Sequence, residues 1–376
     1  VVSVVGEYGL GGSGYTSSSC VVTVDHTEMA CTTVEGVGSG LSWRVSVGGQ
    51  RGPVSAATTS YIGPMITLLS KPITSSVSVL AMPTGGGSRV QLTGTNLGPL
   101  TGNPITAYYG VSGPPYRYTA VSCVVVTAHV AIECDSVGGV GHDLVWSVTV
   151  GGQSSPSSTS VTSYDVPAVS GISGGSGLHT SGGESITLTG SNFGPLGTNG
   201  TDVSVVYGPS EALSRFVATK CNVTVANSQM KCWSAVGVGS SHSWTVTVGG
   251  LSSAATVSAG SLTSYAIPTI TSVSMVSPAT TMRTSGGETI VFVGSEFGPS
   301  GSSWNVLSGD YTGSLGVTYG ALSCVVVVDH VQASCVSNVG VGANNSWRVR
   351  VGGQWSVAST VKLNYTLPTV ASFSGA

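Results

Sequence analysis

Charged side chains are scarce in this sequence. Lys, Arg, Asp and Glu make up 7% of its 376 residues, against about a quarter in most soluble domains. The 12 Lys and Arg residues are scattered along a chain of net charge −3, so they do not form the dense basic face that nucleic-acid binding requires. The 15 acidic residues leave few candidates for paired catalytic carboxylates. We therefore expect neither a nucleic-acid-binding protein nor an enzyme.

Long hydrophobic runs are lacking as well. No apolar segment approaches the roughly 18 residues of a membrane-spanning helix, and no helical periodicity is present. The chain has no initial Met and no signal peptide, which is typical of a processed or partial polypeptide. With 55 Gly and abundant Ser and Thr, low charge could indicate disorder. Val-rich segments that alternate with polar residues indicate packed strands instead.

One segment occurs four times and organises the rest of the chain. In residues 221–250, two cysteines 11 positions apart are followed by Gly-Val-Gly, by a Trp 23 positions after the first Cys, and by Gly-Gly. The Cys pairs are Cys20/Cys31, Cys123/Cys134, Cys221/Cys232 and Cys324/Cys335, and the Trp residues are Trp43, Trp146, Trp244 and Trp347. A repeat at this period predicts a tandem array, and the length fits three or four domains of about 100 residues.

The cysteines indicate the compartment. All eight fall into local pairs with none left over, which favours four disulfides, with free thiols as the alternative. Disulfides predict an oxidising, extracellular location, secreted or at a cell surface. Zinc would need further Cys or His residues near each pair, and no His recurs consistently. We expect no metal and no cofactor.

Each Cys segment is predicted to be a β-hairpin with a two-residue turn, at Asp25-His26 in the first copy. The opposed pairs are then Cys20/Cys31, Val22/Met29 and Val24/Thr27. One face is therefore Cys and apolar residues, as a half-buried antiparallel pair requires. A disulfide closing so short a loop should contribute about 2–3 kcal/mol.

Asp25-His26 and Asp329-His330 resemble acid–base pairs, but they fall at the predicted turn. The other two copies have Ala128-His129 and Ala226-Asn227 there. Turn chemistry explains these residues better than catalysis does.

A second marker, Tyr-x-x-Pro, predicts the domain junctions. The predicted domains are 1–63 (partial), 64–166, 167–267 and 268–367, followed by 368–376. A strand ending in Tyr-Gly is expected before each Cys hairpin, at Tyr109, Tyr207 and Tyr319. Because Tyr319 lies only five residues before Cys324, the last domain is predicted to have a rebuilt loop.

About seven short strands per 100 residues, with a core Trp and an internal disulfide, predict an all-β fold of tandem immunoglobulin-like β-sandwiches. Three motifs then resemble the immunoglobulin-like, plexin and transcription-factor (IPT/TIG) domains. They are Pro-x-Ile-x-x-Val at 268–273, Gly-Gly-Glu-x-Ile-x-Leu-x-Gly-x-Asn-Phe-Gly at 182–194, and the Cys hairpin with its Gly-Val-Gly. The resemblance implies an early-set sandwich used in surface-receptor stalks and in surface proteins. The motif is weaker in the second copy, which has Gly85 to Gly87 and Leu97 instead.

The two ends of the chain suggest alternative hypotheses. Residues 1–63 lack about forty residues that the other copies place before their first Cys, and residues 368–376 resemble the opening strand of a further domain. The chain is either one part of a longer repetitive protein or a fibre subunit. In the second case, its terminal segment completes the open first domain of the next copy.

Several surface residues are candidates for modification or contact. Asn-x-Ser/Thr sequons, expected to be N-glycosylated in a eukaryotic source, occur at Asn199, Asn222, Asn344 and Asn364. O-linked sugars on Ser154 to Ser163 have no sharp motif. Candidate interface residues are Trp233, Trp304, Trp355, Val21, Val124 and Val325. For Trp233, packing against a neighbouring domain is favoured over an exposed sugar platform.

The sequence therefore predicts a non-catalytic extracellular structural protein, a rigid stalk or the shaft of a self-associating, glycosylated fibre. One alternative is an adhesin or receptor ectodomain that binds carbohydrate or protein through its variable loops. A second is the accessory region of a larger secreted hydrolase.

Overall fold

A computed structural model describes residues 3–72, 80–102, 104–276 and 280–374 of the chain. Nearly all of the regular structure in these ranges is β-strand. The chain splits into two compact units, Val1–Asp165 and Val166–Ala376. The predicted fold class, tandem immunoglobulin-like β-sandwiches, is confirmed. The strands within residues 4–59 form the first sandwich, and those within residues 65–164 form the second. The strands within residues 168–265 form the third sandwich, and those within residues 269–363 form the fourth. The exact domain boundaries stay a prediction.

Unit 1 contains the first two sandwiches. The first sandwich comprises β1 (Val4–Gly9), β2 (Tyr15–Thr16), β3 (Ser19–Val24), β4 (Glu28–Thr32), β5 (Leu41–Val47), β6 (Gln50–Arg51) and β7 (Thr58–Thr59). The second comprises β8 (Met65–Ser70), β9 (Leu80–Met82), β10 (Arg89–Thr95), β11 (Ile105–Val111), β12 (Tyr118–Thr119), β13 (Val121–Thr127), β14 (Ala131–Asp135), β15 (Leu144–Val150), β16 (Gln153–Ser154) and β17 (Thr162–Tyr164).

Unit 2 contains the other two sandwiches and two short 3-10 helices, Gly200–Asp202 and Ala259–Ser261. The third sandwich comprises β18 (Ala168–Ser173), β19 (Ser176–Leu178), β20 (Ser185–Ser191), β21 (Val203–Gly208), β22 (Phe216–Val217), β23 (Thr219–Val225), β24 (Gln229–Trp233), β25 (Ser243–Val248), β26 (Leu251–Ser252) and β27 (Ser264–Tyr265). The fourth comprises β28 (Thr269–Met275), β29 (Thr289–Ser295), β30 (Leu307–Thr312), β31 (Thr318–Gly320), β32 (Leu322–Val328), β33 (Gln332–Val336), β34 (Asn345–Val351), β35 (Gln354–Trp355) and β36 (Lys362–Leu363).

The Cys hairpin lies in the same sheet position in the last three sandwiches. The strand orders are β13-β14-β10-β8, β18-β20-β24-β23 and β28-β29-β33-β32. The second hairpin strand is thus always interior, between the first hairpin strand and a strand that precedes both in the chain. In the first sandwich, β3 and β4 form a two-stranded sheet on their own. Among the described residues, β4 therefore has an unpaired edge where β14, β24 and β33 have a partner.

A stacked Tyr–Trp pair occupies the same position in each sandwich, and its Trp is buried in the last three and half-buried in the first. The Tyr lies directly opposite the repeated Trp on the neighbouring strand, with ring centroids 4.0–4.4 Å apart. The pairs are Tyr8/Trp43, Tyr109/Trp146, Tyr207/Trp244 and Tyr311/Trp347. A strand does end in Tyr-Gly at Tyr319, as predicted, but grouping Tyr319 with Tyr109 and Tyr207 is wrong. Tyr311 takes that place, and Tyr319 lies on β31, the counterpart of β12 and β22, so the expected rebuilt loop is absent there.

All four Cys pairs are joined as disulfides across their hairpins, with Cα atoms 4.0–4.1 Å apart. Cys20 lies opposite Cys31 and Val22 opposite Met29, but Val24 pairs with Glu28 rather than Thr27. The turn is longer than predicted because its central residue adopts a left-handed conformation, which produces a bulged three-residue loop. These residues are His26, His129, Asn227 and His330, with φ between 60° and 66°.

Candidate functional site

The features with the most specific geometry are the joints between consecutive sandwiches within each unit. In unit 1, Val37 of the first Gly-Val-Gly packs against the hydrophobic core of the second sandwich. It lies over the turn between β15 and β16, so that a Cβ atom on Gly151 would be 2.5 Å from Val37 Cγ2. Only glycine allows this approach.

Unit 2 has the same joint. Val238 is 2% exposed and belongs to the core cluster of the fourth sandwich. A Cβ atom on Gly352 would lie 2.6 Å from the backbone nitrogen of Gly239 and 2.8 Å from Val238 Cγ2. We call the valine of each Gly-Val-Gly the knob, and the Gly-Gly turn of the following sandwich the seat.

A glutamine after each of these two seats completes the joint. The side-chain amide of Gln153 donates to the backbone carbonyl of Tyr61 over 2.9 Å, and Gln354 donates to the carbonyl of Tyr265 over 3.1 Å. Both carbonyls belong to Tyr-x-x-Pro markers. The hydroxyl of the same Tyr lies in its own core, so the marker connects the interior of one sandwich to the surface of the next.

Polar side chains flank the joints. In unit 1, His129 Nε2 and Glu35 Oε1 are 2.7 Å apart. In unit 2, the Glu296 carboxylate lies 2.7 Å from both His179 Nδ1 and the backbone N–H of Thr180. Burial raises the pKa of Glu296, but hydrogen bonds from His179 and Thr180 outweigh it, so the pKa is below its usual value. Glu296 in turn raises the pKa of His179.

A cavity of about 560 Å³ lies beside the joint of unit 2. One of its lining residues, His242, is 1% exposed, and neither ring nitrogen has a hydrogen-bond partner among the described residues. Burial lowers the pKa of His242 to about 4. Trp304 of the fourth sandwich also lines the cavity and packs edge-on against Phe216 of the third, with ring centroids 5.2 Å apart.

The four copies explain why a His is buried there. Leu41, Leu144 and Asn345 are the buried equivalents of His242.

In the second sandwich, where the equivalent is Leu144, the Tyr118 hydroxyl exchanges two hydrogen bonds with the backbone of Val140. Phe216 replaces that Tyr in the third sandwich and has no hydroxyl to bind Val238. The His242 ring lies beside the backbone at Gly239 instead, so Phe216 and His242 jointly substitute for the Tyr–Leu pair.

The first sandwich exposes apolar residues that its counterparts bury. Val22 is 53% exposed, whereas Val125 and Val223 at the equivalent positions are 8% and 1% exposed. Val47 is 46% exposed, whereas Val150 is 1% exposed. Val22, Val47 and Met29 line a cavity of about 510 Å³ on the inner face of β3 and β4. We call this surface the open face.

The predicted sequons lie on unit 2 in two close pairs. Asn199 and Asn222 form a β-bridge, and the backbone N–H of Asn344 donates to the side-chain oxygen of Asn364 over 2.7 Å. Asn199, Asn344 and Asn364 are exposed, and Asn222 is half-buried. N-glycosylation stays a prediction, and three of the four side chains lie at the surface.

The candidate interface residues have different surroundings. Among the three additional Trp residues, Trp304 packs against another sandwich, as described above. Trp233 is half-buried, with Lys231 Nζ 5.4 Å from its ring centroid. Trp355 is 37% exposed and lies under Arg348 and Arg350. The outward valines are exposed at their hairpins: Val21 (60%), Val124 (45%) and Val325 (53%).

The Gly-Gly-Gln seat had no predicted role, although its recurrence in three of the four copies was a visible signal.

No group of three or more Cys, His, Asp and Glu side chains in the described ranges could hold a metal ion. Within the part of the chain that the structure describes, no helix has the length and apolarity that crossing a membrane requires.

Comparison with known families identifies one sandwich directly. Residues 167–265, about a quarter of the chain, match the model of the IPT/TIG domain. The third sandwich is an IPT/TIG domain. This confirms the resemblance inferred from the motifs. The other sandwiches share with this IPT/TIG domain the Cys hairpin, the Tyr–Trp stack and the Gly-Gly turn.

Similarity to solved structures is low overall. A protein crystallised with a xylogluco-oligosaccharide is 13% identical, with 81% of this chain and 60% of the other covered and a TM-score of 0.30. The plexin A4 extracellular region is 11% identical, with 96% and 45% covered and a TM-score of 0.22. The Escherichia coli adhesin FdeC is 13% identical, with 84% and 99% covered and a TM-score of 0.24. This chain thus spans less than two thirds of the first two. No curated protein sequence matches it.

The four disulfides and the immunoglobulin-like domains indicate an extracellular β-domain protein.

Proposed function

We propose that this protein is a non-catalytic, rigid extracellular spacer whose copies associate end to end into the shaft of a surface fibre. The observation that carries the proposal is the joint, which has the same knob, seat and glutamine contact in both units. Two sandwiches joined through a valine packed against the next core and a hydrogen bond to the carbonyl of the marker tyrosine resist bending more than two domains on a flexible linker do. A spacer needs this property, and a catalytic protein would need a reactive site in addition.

The open face supports end-to-end association. Its valines are exposed on a sheet whose edge at β4 is unpaired among the residues that the structure describes, and such a surface readily accepts another chain. The proposed occupant is residues 368–374 of a second copy. Their Pro-x-Val-x-x-Phe pattern matches the opening of the fourth sandwich, where Val273 is buried. Val370 and Phe373 are 81% and 92% exposed, so both side chains are accessible for burial against the open face.

One lysine substitution on the open face and a matched control on the opposite face test whether the chain forms fibres through that face. Val22 and Val21 are adjacent on β3, similarly exposed, and on opposite faces. In negative-stain images of the purified chain, we expect wild-type filaments, no filaments for Val22→Lys, and filaments as in wild type for Val21→Lys. Single particles at every wild-type concentration would overturn the fibre proposal. Loss caused by Val21→Lys alone would place the contact on the outer face instead.

We also propose N-linked glycans at Asn199, Asn222, Asn344 and Asn364. A surface with so few charges needs another protection against nonspecific association, and bulky sugars supply it. Mass spectrometry of the natural protein before and after enzymatic deglycosylation tests each site, and an unmodified Asn at all four would refute the proposal.

Carbohydrate or protein binding is the second candidate function, and the cavity beside Trp304 favours it. An aromatic ring next to polar lining residues is a common arrangement for sugar recognition. Binding on a glycan array that disappears in Trp304→Ala but persists in Trp355→Ala would support an adhesin. If the array shows no binding, the spacer remains as the proposed function without the adhesin. The remaining alternative, an accessory region of a hydrolase, would be supported by a catalytic domain in the same polypeptide.

A further inference from the structure

Both halves of a joint are exposed at opposite ends of the described chain. The turn Gly48-Gly49 and Gln50 of the first sandwich form a seat like those of the second and fourth, and all three residues are exposed. The knob of the fourth sandwich, Val341, is 61% exposed, whereas Val238 at the equivalent position in the third is 2% exposed. Two matching surfaces are thus present without a partner among the described residues.

We propose that the knob Val341 of one copy binds the seat Gly48-Gly49 of a second copy, with the Gln50 amide donating to the carbonyl of Tyr365. The inference rests on the proposed end-to-end association and specifies the contact that would align it. It would reproduce between chains the joint that each unit contains within itself.

The backbone of the exposed seat already has the required shape. Gly48 and Gly49 have φ values of 54° and 83°, against 57° and 82° for Gly151 and Gly152 and 53° and 85° for Gly352 and Gly353. The pairing of Val47 with Gln50 makes this a two-residue hairpin turn. Such turns commonly have Asn at their first position.

The turn accepts either Asn or Gly at its first position, so turn geometry alone does not require Gly at position 48. In both joints the first glycine of the seat is the one whose Cβ would collide with the knob or its neighbour. A Cβ on the second glycine would meet nothing within 4 Å at Gly152, and only the end of a flexible Arg350 side chain at Gly353. A contact at Gly48 would require glycine for the same reason.

This asymmetry supplies a matched pair of variants. Gly48→Asn and Gly49→Asn introduce the same side chain at left-handed positions that Asn tolerates, but only the first fills the seat. We expect Gly48→Asn to raise the concentration needed for filament formation by about tenfold or more, and Gly49→Asn to leave it within about twofold. Sedimentation velocity and negative-stain imaging provide the readout.

A second pair of variants tests the knob, which is the other half of the proposed contact. Val341→Glu places a charge on the knob, while Val339→Glu introduces the residue that the first sandwich has naturally at that position, Glu35. Filaments should be lost in Val341→Glu and retained in Val339→Glu. Circular dichroism and thermal melting check that all variants remain folded.

The outcomes separate the two proposals. Wild-type filaments that vanish in Val22→Lys but assemble normally in Gly48→Asn and Val341→Glu would overturn this joint and leave the fibre intact. A wild-type chain that never associates would overturn both. Loss in Gly49→Asn equal to that in Gly48→Asn would show that turn geometry, and not seating of the knob, was disturbed, and would also overturn the inferred contact.

Discussion

Gln354 donates a hydrogen bond to the backbone carbonyl of Tyr265, and the Tyr265 hydroxyl lies 2.6 Å from that of Tyr207 in the core of the preceding sandwich. Tyr265 thus connects the core of its own sandwich, through its side chain, to the surface of the next sandwich, through its carbonyl. Tyr61 and Gln153 repeat the relationship. Stability of each sandwich and orientation of the next are therefore coupled at the Tyr-x-x-Pro marker.

The seat of unit 2 should be sensitive to side-chain volume at one glycine only. Gly352→Asn would place a side chain where Gly239 and Val238 now pack, and we expect a loss of about 1–3 kcal/mol in the unfolding free energy of the fourth sandwich or its separation from the third. Gly353→Asn should cost about 0.5 kcal/mol or less. Hydrogen exchange at 237–239 and chemical denaturation report the difference. Equal effects would show that the turn, not the joint, is being tested.

Acid should weaken unit 2 through His242. Its pKa is about 4 in the folded protein because burial disfavours the charged ring, against about 6.5 in an unfolded chain. The unfolded state therefore binds more protons between these values, so stability is complete above about pH 6.5 and falls as the pH drops to about 4. The full loss is about 3 kcal/mol. Denaturant titrations across this range measure it.

The double variant His242→Leu/Phe216→Tyr is the matched control for that prediction. It installs the pair that Leu144 and Tyr118 form in the second sandwich. We expect the acid-dependent loss to disappear. A variant that keeps the wild-type pH dependence between 6.5 and 4 would assign the titration to another group.

Removing the buried hydroxyl of Tyr265 should lower the unfolding free energy. The Tyr265 hydroxyl donates to the carbonyl of Ala235 over 2.8 Å and contacts that of Tyr207, so Tyr265→Phe should lose about 1–3 kcal/mol of unfolding free energy. Tyr116→Phe, whose hydroxyl makes an exposed contact to Ser157, is the control and should lose little. Thermal melting distinguishes the two.

The same tyrosines should make the protein sensitive to alkali. Burial, with Tyr207 close by, raises the pKa of Tyr265 above its ordinary value. The folded state then keeps a proton that the unfolded chain releases, so stability falls as the pH rises above about 10. Tyr265→Phe should show a shallower decline in an alkaline unfolding series, and an unchanged slope would contradict this assignment.

The disulfides should differ in their accessibility to reductant. Cys31 is half-buried, whereas Cys134, Cys232 and Cys335 are fully buried. Thiol–disulfide exchange requires access of the attacking thiolate. Under native conditions, Cys20–Cys31 should be reduced first, with alkylation and mass spectrometry as the readout. Simultaneous reduction of all four would indicate that global unfolding, not local exposure, controls the reaction.

The sequence predicts the features that repeat. Cysteine spacing locates the hairpins, alternation gives their apolar face, and the recurring Trp marks a core position. Each signal is local and present in every copy, because every core needs the same residues. The error at Tyr319 has a simple cause. In the fourth sandwich the Tyr-Gly dipeptide belongs to the shorter neighbouring strand, whereas Tyr311 has the core position.

Other features depend on distances between sandwiches or on left-handed turns. The register at Val24 follows from the conformation of His26, which the residue type alone does not settle. The knob and seat become visible only when a Gly-Val-Gly lies over a turn more than a hundred residues further along the chain. The burial of His242 follows from its partner Phe216, and alignment with Leu41 and Leu144 was the available clue.

The knob and the seat lie at opposite ends of a sandwich, and they are different surfaces. Contacts of this heterologous type leave one free knob and one free seat after each bond, and they build an open filament wherever the geometry keeps those two free surfaces apart. A polymer built through them would be polar, with two chemically distinct tips. Growth could then be stopped at either tip independently, by a capping protein that offers a seat without a knob or a knob without a seat.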